Sequence, residues 1–386
     1  MATQPVLLDQ QPALPFDDVL WEDQDYLARQ LITYIGNKRA LLDPIQDAVQ
    51  QVCKRLGTDR LRALDAFSGS GVVSRLLKRH ARDLIANDCE DYARLISTCY
   101  LTNRSEFPET DVRDAIDRLN SRVAMERDQP EGFIERLYAP RDDERIEPNE
   151  RVFYTRENAR RLDAYRVLIA EEPEEIRPWL FGPLLSRASV HANTAGVFKG
   201  FYKDAATGIG RFGGSGSDAL SRILGEISLE MPILSRFECD SSVYQVDAGE
   251  LVGMVSDLDL AYFDPPYNQH PYGSNYFMLN LVATSEEPVE VSRVSGIPTD
   301  WRRSPYNTRS KSLVHLKRLI AGVDARFALV SYNDEGFIPI EDMRAFLAGL
   351  GSVEELETKH ATFRGSRNLR NRSAHVTEHL FLVDRR

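Results

Sequence analysis

The sequence predicts an α/β fold built on a seven-stranded, mostly parallel sheet, and three observations carry that prediction. Four short, mainly apolar runs each end in an aspartate, at Asp65, Asp88, Asp247 and Asp264. Taken as successive strands of one parallel sheet, they bring four carboxylates to the same edge, where ligands of such sheets bind. The first run passes through a glycine turn, Ser68-Gly69-Ser70-Gly71, into a helical stretch, the step from which these sheets are assembled. Near the C-terminus two β-rich segments follow one another with no helix between them, which fits an antiparallel hairpin at the sheet edge.

At 386 residues the chain is too long for one compact core, so a main domain with a substantial insertion is expected. The expected division is an arm over 1–30, a main domain formed by 31–104 and 240–386, and a mainly helical insertion over 105–239. The arm scatters Pro5, Pro12 and Pro15 among Gln and Asp without a sustained period, and reads as loosely ordered. No apolar run reaches the roughly 20 residues needed to cross a bilayer, and no basic region precedes an apolar one at the N-terminus, so a cytoplasmic protein without a membrane partner is expected. Cys53, Cys89, Cys99 and Cys239 form no C-x-x-C pair and the histidines no H-E-x-x-H, so neither a disulfide framework nor a metal site is indicated.

From Leu31 an aromatic-Gly-Asn-Lys turn containing Tyr34 and Lys38 feeds an amphipathic helix with Leu41, Leu42, Ile45, Val49, Val52 and Leu56 on one face. A cation at a helix start is disfavoured unless an anion binds there; Lys38 is either a solvated lysine or a partner for a bound carboxylate. The first strand, Leu61 to Asp65, runs into Asp65-Ala66-Phe67-Ser68-Gly69-Ser70-Gly71 and the helix Val72 to His80. This is D-x-F-x-G-x-G and not the G-x-G-x-x-G of dinucleotide binders, so a nicotinamide cofactor is not expected. The second strand, Asp83 to Asp88, sets its carboxylate about 20 positions beyond the turn, the separation at which one reaches ribose hydroxyls, and so points to an adenosine-containing ligand. After the insertion come a third strand, Val243 to Asp247, and a fourth, Leu258 to Phe263, which Pro265 and Pro266 must end because they have no N–H to give a sheet. Phe327 to Tyr332, Val353 to Lys359 and Val376 to Val383 complete seven strands, with helices at about Thr308 to Ala321 and Ile340 to Leu347.

Asp264-Pro265-Pro266-Tyr267 carries the chemistry. A carboxylate and a backbone carbonyl fixed at a strand end can accept both hydrogens of an exocyclic amino group, while a tyrosine stacks on the attached ring. That suits attack by an amino nitrogen on an activated methyl group; as a bare tetrapeptide it is equally a surface turn.

The net charge of −11 argues mildly against a nucleic-acid partner, but the charge is uneven. Lys359 to Arg386 carries seven basic and two acidic residues, including Arg364, Arg367, Arg370 and Arg372, whereas Glu106 to Glu150 carries seven basic against fourteen acidic. Within the insertion, His191 to Lys203 interleaves aromatics with Lys and Gly, including Lys199, Tyr202 and Lys203, and Arg211 follows in a glycine-rich stretch. Such a run suits contact with nucleic acid, and also describes an ordinary loop.

Tyr34-Ile35-Gly36-Asn37-Lys38, Asp65 to Gly71, Asn87-Asp88, Val246-Asp247-Ala248 and Asp264 to Tyr267, in this order, resemble the N6-adenine DNA methyltransferases of the D12 class, the Dam-like group. The resemblance implies a Rossmann-like class I methyltransferase sheet that binds S-adenosylmethionine and carries a target-recognition domain between its second and third strands. It implies cofactor roles for Tyr34 and Lys38 at the methionine end, for Asp65, Phe67, Gly69 and Gly71 around the nucleoside, for Asp88 at the ribose and for Asp247 at the adenine. Asp264, Pro265, Pro266 and Tyr267 would hold a flipped-out adenine of double-stranded DNA. DNA contacts would fall to Lys199, Tyr202, Lys203 and Arg211 and to Arg364, Arg367, Arg370 and Arg372, with a cognate restriction endonuclease as a companion. Methylation of cytosine N4, RNA or protein, or a DNA-binding protein on an inactive version of the fold, are the competing readings.

Overall fold

A computed structural model describes residues 22–125, 130–214, 218–269, 271–361 and 375–385. Its seven strands are β1 (Leu61–Asp65), β2 (Ala81–Asn87), β3 (Asp240–Tyr244), β4 (Leu258–Phe263), β5 (Ala325–Asn333), β6 (Ser352–Ala361) and β7 (His375–Asp384), arranged in one sheet of order β3-β2-β1-β4-β5-β7-β6. The first five pair in parallel, and β7 lies antiparallel between β5 and β6. The near-continuous apolar character of β1, β4 and β5 follows from burial on both faces. Leu64, Ala261, Phe263, Ala328 and Val330 turn to one core, and Ala63, Leu260, Tyr262, Phe327 and Leu329 to the other.

Gln24–Ala28 (α1) and Leu42–Leu56 (α2) precede the sheet, and Val72–His80 (α3) and Asp91–Tyr100 (α4) follow β1 and β2. The insertion supplies α5 (Glu109–Met125), α6 (Phe133–Tyr138), α7 (Arg156–Glu171), α8 (Arg177–Val190) and α9 (Asp218–Leu224). After β4 come α10 (Tyr272–Asn275), α11 (Phe277–Thr284), α12 (Arg309–Gly322) and, beyond β5, α13 (Ile340–Ala348). Buried residues of α2 and α3 cover one face of the sheet, and those of α12 and α13 the other. Among the described residues no helix is long and apolar enough to cross a membrane.

Three expectations need correction. The arm does not extend to residue 30: Asp23 caps α1 by accepting from the Asp25 N–H, Tyr26 is buried and its hydroxyl donates to Tyr100 O at 2.7 Å, and Glu22 accepts from Ser235 and the Arg236 N–H. A helix of one turn has no period to show in sequence. Second, β3 begins three residues earlier than the apolar run suggests and Asp247 lies beyond its end, because an exposed edge strand is fixed by pairing with Asp83 to Asn87 and not by burial. Third, packing does not break at residue 104: helices α5 to α8 share one core with α4 and α11. At their closest approach a Cβ on Gly182 of α8 would lie 2.6 Å from Cys99 Sγ of α4, so only glycine lets the two helices meet there.

Candidate active site

The strand order reverses between β1 and β4, and a cleft partly open to solvent lies at the carboxyl edge beside that point. Its walls include Tyr34, Phe67, Asp88, Asp247, Asp264 and Pro266 from the expected set.

One half of the cleft is built on main chain. The turn after β1 closes through Ser68 N–H to Asn87 O at 2.8 Å and Gly71 N–H to Ser68 O at 2.7 Å, with Gly69 and Gly71 at φ of 51° and 74°. Gly69 is also where Tyr34 crosses, since a Cβ there would lie 2.9 Å from the Tyr34 ring. Asp88 accepts from the Gly69 N–H at 2.8 Å and the Glu90 N–H at 2.9 Å, and these bonds partly offset the burial that raises its pKa. Asn87 ties β1 to the segment after β3, donating to Ala66 O and Val246 O and accepting from the Val246 N–H. Asp247 caps the short 3₁₀ turn Ala248–Leu251 through the Gly249 N–H.

The other half is built on charge. Asp264 follows β4 directly, its side chain 18% exposed. Lys38, buried, sets its ammonium 3.0 Å from Asp264 Oδ1 and 2.8 Å from Glu378 Oε1 of β7, and donates to Gly36 O at 3.3 Å. Glu378 Oε1 also accepts from Ser331 Oγ of β5 at 2.9 Å. Burial pushes the Asp264 carboxyl up to about 6, with Lys38 pulling it down and Glu378 pushing it further up. Burial disfavours the Lys38 charge too, but Asp264 and Glu378 outweigh it and hold its pKa well above the ordinary value. Tyr267 packs edge-on against Tyr332 with ring centroids 6.1 Å apart, and its carbonyl accepts from the Phe337 N–H.

Six expected residues stand outside the cleft wall: Lys38, Asp65, Gly69, Gly71, Pro265 and Tyr267. Lys38 sits between two of the protein's own carboxylates, Asp264 and Glu378. Asp65 lies beneath the turn, accepts from Ser74 Oγ at 2.6 Å, and is pushed up to about 7 mainly by burial. Conversely Glu90, Tyr272, Arg302, Tyr306 and Asn307 line the cleft without having been expected. Tyr306 meets Phe67 edge-on at 5.1 Å, and Tyr272 stacks on Tyr34 at 4.9 Å. Glu90 is pushed up to about 7 by burial and then by Asp88, while Asn280 donates to it at 2.6 Å. The sequence signal for Glu378 is a carboxylate within a strand segment that continues into Leu380-Phe381-Leu382-Val383, and its burial is explained by the buried Lys38 cation.

Of the expected DNA contacts, Lys199 and Lys203 are exposed and Tyr202 is half-buried; Lys203 lies over the Phe201 ring. Arg211 is exposed but donates to Gly213 O and Gly214 O of its own loop. Buried Asn193 pins that loop by bonding Val152 O, Arg211 O and the Gly213 N–H, and Phe198 N–H donates to Asn275 O in α10, close in sequence to Asp264. Arg364, Arg367, Arg370 and Arg372 lie outside the described residues. On the antiparallel edge, Glu355, Glu357 and His379 come close enough to share a cation, but Arg344 already bonds both glutamates.

A family model for D12 class N6 adenine-specific DNA methyltransferases matches residues 34–346, a span that holds both halves of the cleft except Glu378. The chain belongs to this family. The methyltransferase is 27% identical over 363 residues to the Type II methyltransferase M.NlaIII of Neisseria lactamica, covering 92% of this chain and 99% of that protein. It is 28% identical over 359 residues to the Type II methyltransferase M.CviAII of Paramecium bursaria Chlorella virus 1, covering 91% and 98%. Against the Type II methyltransferase M.FokI of Planomicrobium okeanokoites the figures are 24% over 365 residues, 91% of this chain and 52% of the longer relative, so the chain matches two relatives end to end and part of a third. It is a DNA methyltransferase on a seven-stranded α/β sheet.

Proposed function

We propose that this methyltransferase transfers a methyl group from S-adenosylmethionine to the N6 amino group of a flipped-out adenine in duplex DNA. The observation that carries the reading is the placement of Asp264, held by Lys38 through Oδ1, on the same cleft wall as Phe67, Asp88 and Asp247. The residues present suit the cofactor: carboxylates that can accept from hydroxyl and amino groups and aromatic faces that can pack on a base line the cleft beside the glycine turn. Asp88 would hold the ribose hydroxyls, Asp247 the adenine amino group, Phe67 and Tyr306 the base, and Tyr34 the methionine end. When bound, the cofactor supplies a methyl group on a cationic sulfur.

The protein's part is orientation and electrostatics. The lone pair of an aromatic amino group is delocalised into its ring, so the nitrogen is a weak nucleophile. Asp264 and Pro265 O accept its two hydrogens and favour a more tetrahedral nitrogen, and Tyr267 stacks on the base to fix the line of attack. Lys38 keeps Asp264 anchored through Oδ1. Pro266 forms part of the wall against which the base sits.

Residues 105–239 would serve target recognition, a role supported by the contact of their exposed Lys199 and Lys203 loop with α10. The names of the relatives support a place in a restriction-modification system with a cognate endonuclease as companion. A protein acting on DNA in this way works in the cytoplasm, at the nucleoid. Digestion of plasmid DNA from cells expressing the protein, followed by nucleoside mass spectrometry, tests the reading: N6-methyladenine is expected, and N4-methylcytosine or unmodified DNA overturns it.

A further inference from the structure

We infer that Glu378 is a positioning residue for methyl transfer, acting on Asp264 through Lys38. The inference rests on the reading of Asp264 as the acceptor for the target amino group.

An ammonium has three N–H directions, and Lys38 directs its own at Asp264 Oδ1, Glu378 Oε1 and Gly36 O. Glu378 is itself held by Ser331 Oγ, so the ammonium is drawn from a fixed point on the sheet. That point exists only because β7 runs antiparallel beside β5, in a register that sets Glu378 opposite Asn333. Sharing Lys38 has two consequences for Asp264. The ammonium is kept on one carboxylate oxygen, leaving Oδ2 for the incoming N–H. The charge of Lys38 is divided between two carboxylates, giving the cluster a formal charge of −1 in place of a neutral ion pair, so Asp264 stays a stronger acceptor and faces a developing positive charge on the attacking nitrogen. A structural role alone is a poor account of Glu378, since a buried ion pair is weak ground for stability whereas breaking one is costly.

The groups that face Asp264 are Lys38 from the loop before α2, Glu378 from β7, Asp65 from β1, Tyr262 from β4, and Tyr267 and Tyr272 after β4. Among the first two the signs are opposite: Lys38 favours the ionised carboxyl and Glu378 disfavours it.

The test is a pH series of kcat/KM on duplex DNA for the full chain and for Glu378→Gln, Lys38→Met, the double variant and Asp264→Ala, with binding of S-adenosylmethionine measured by calorimetry. Glu378→Gln is expected to lower kcat about tenfold, to change cofactor binding less than about twofold, and to move the acidic limb down by about one pH unit. Lys38→Met should move the limb up, and Glu378→Gln in the Lys38→Met background should add little to the loss of kcat, because the path through the ammonium is already cut, while the limb still moves down because Glu378 also repels the Asp264 charge directly. The double variant carries no buried unpaired charge from this pair of sites, so it serves if either single variant folds poorly. An unmoved acidic limb with Asp264→Ala inactive overturns the role of Glu378 alone. Full additivity of the kcat losses in the double variant does the same. An active Asp264→Ala overturns the reading of Asp264, and the inference about Glu378 with it.

Discussion

The two halves of the cleft are made in different ways. Around Asp88 the groups in place are backbone N–H donors and a glycine turn, all within a stretch of sequence from Asp65 to Glu90. Around Asp264 three charged side chains meet from positions 38, 264 and 378, on a loop, just past β4 and within β7, far apart in the chain. The first half is a shape set by main chain, which holds the Asp88 carboxylate in place through two N–H groups. The second is an electrostatic device whose members have meaning only together. The contrast teaches that binding and reaction on this edge can be damaged separately.

Four experiments break or sharpen that division. The largest effect is expected for Asp264→Ala, which removes the acceptor and leaves the turn intact: methyl transfer should fall by at least about 10²-fold, with cofactor affinity nearly unchanged. Equal loss of both would join the two halves. Gly69→Ala should do the reverse, since a side chain at φ 51° and a Cβ 2.9 Å from the Tyr34 ring must strain the turn. At about 1–3 kcal/mol of strain, cofactor binding weakens by about tenfold or more, readable by calorimetry.

Third, acidification should silence the charged half first. The Asp264 carboxyl, raised to about 6, is an acceptor only when ionised, so the rate at saturating DNA and cofactor should fall as pH drops through about 6. Calorimetric cofactor affinity at the same pH values should fall less steeply. The smallest effect is on stability. Asp65 has its carboxyl raised from 3.8 to about 7, so in the folded protein its ionisation is penalised increasingly as pH rises through that interval. Asp65→Asn removes the penalty: the melting temperature should rise relative to the parent at pH 8 and match it near pH 4. A gain at both pH values would assign the effect to packing.

The same division governs what the sequence reveals. The bounds of α3 and β4 follow from local pattern alone, Val72–His80 and Leu258–Phe263, because both are buried and end at a clear stop, the helix in Ala81 of the next strand and the strand in Asp264-Pro265. Asp88 and Phe67 were readable because strand, turn and strand place them at fixed separations. β3 was misplaced because its burial is slight. Tyr306 and Arg302 reach the cleft along a segment with no period, and Glu378 owes its place to a pairing register that no stretch of local sequence encodes. Lys38 shows the limit most plainly: a cation at a helix start left open a solvated lysine or a partner for a bound carboxylate, whereas the contacts made are with two distant carboxylates of the chain itself.

β7 enters the sheet between β5 and β6, although both are made before it. Among the described residues β6 has no partner in the sheet other than β7, so the strand that carries Glu378 to Lys38 is also the one that fastens the edge of the sheet. Loosening that edge would therefore loosen the reactive corner, while the turn around Asp88 rests on bonds that no residue of β7 supplies.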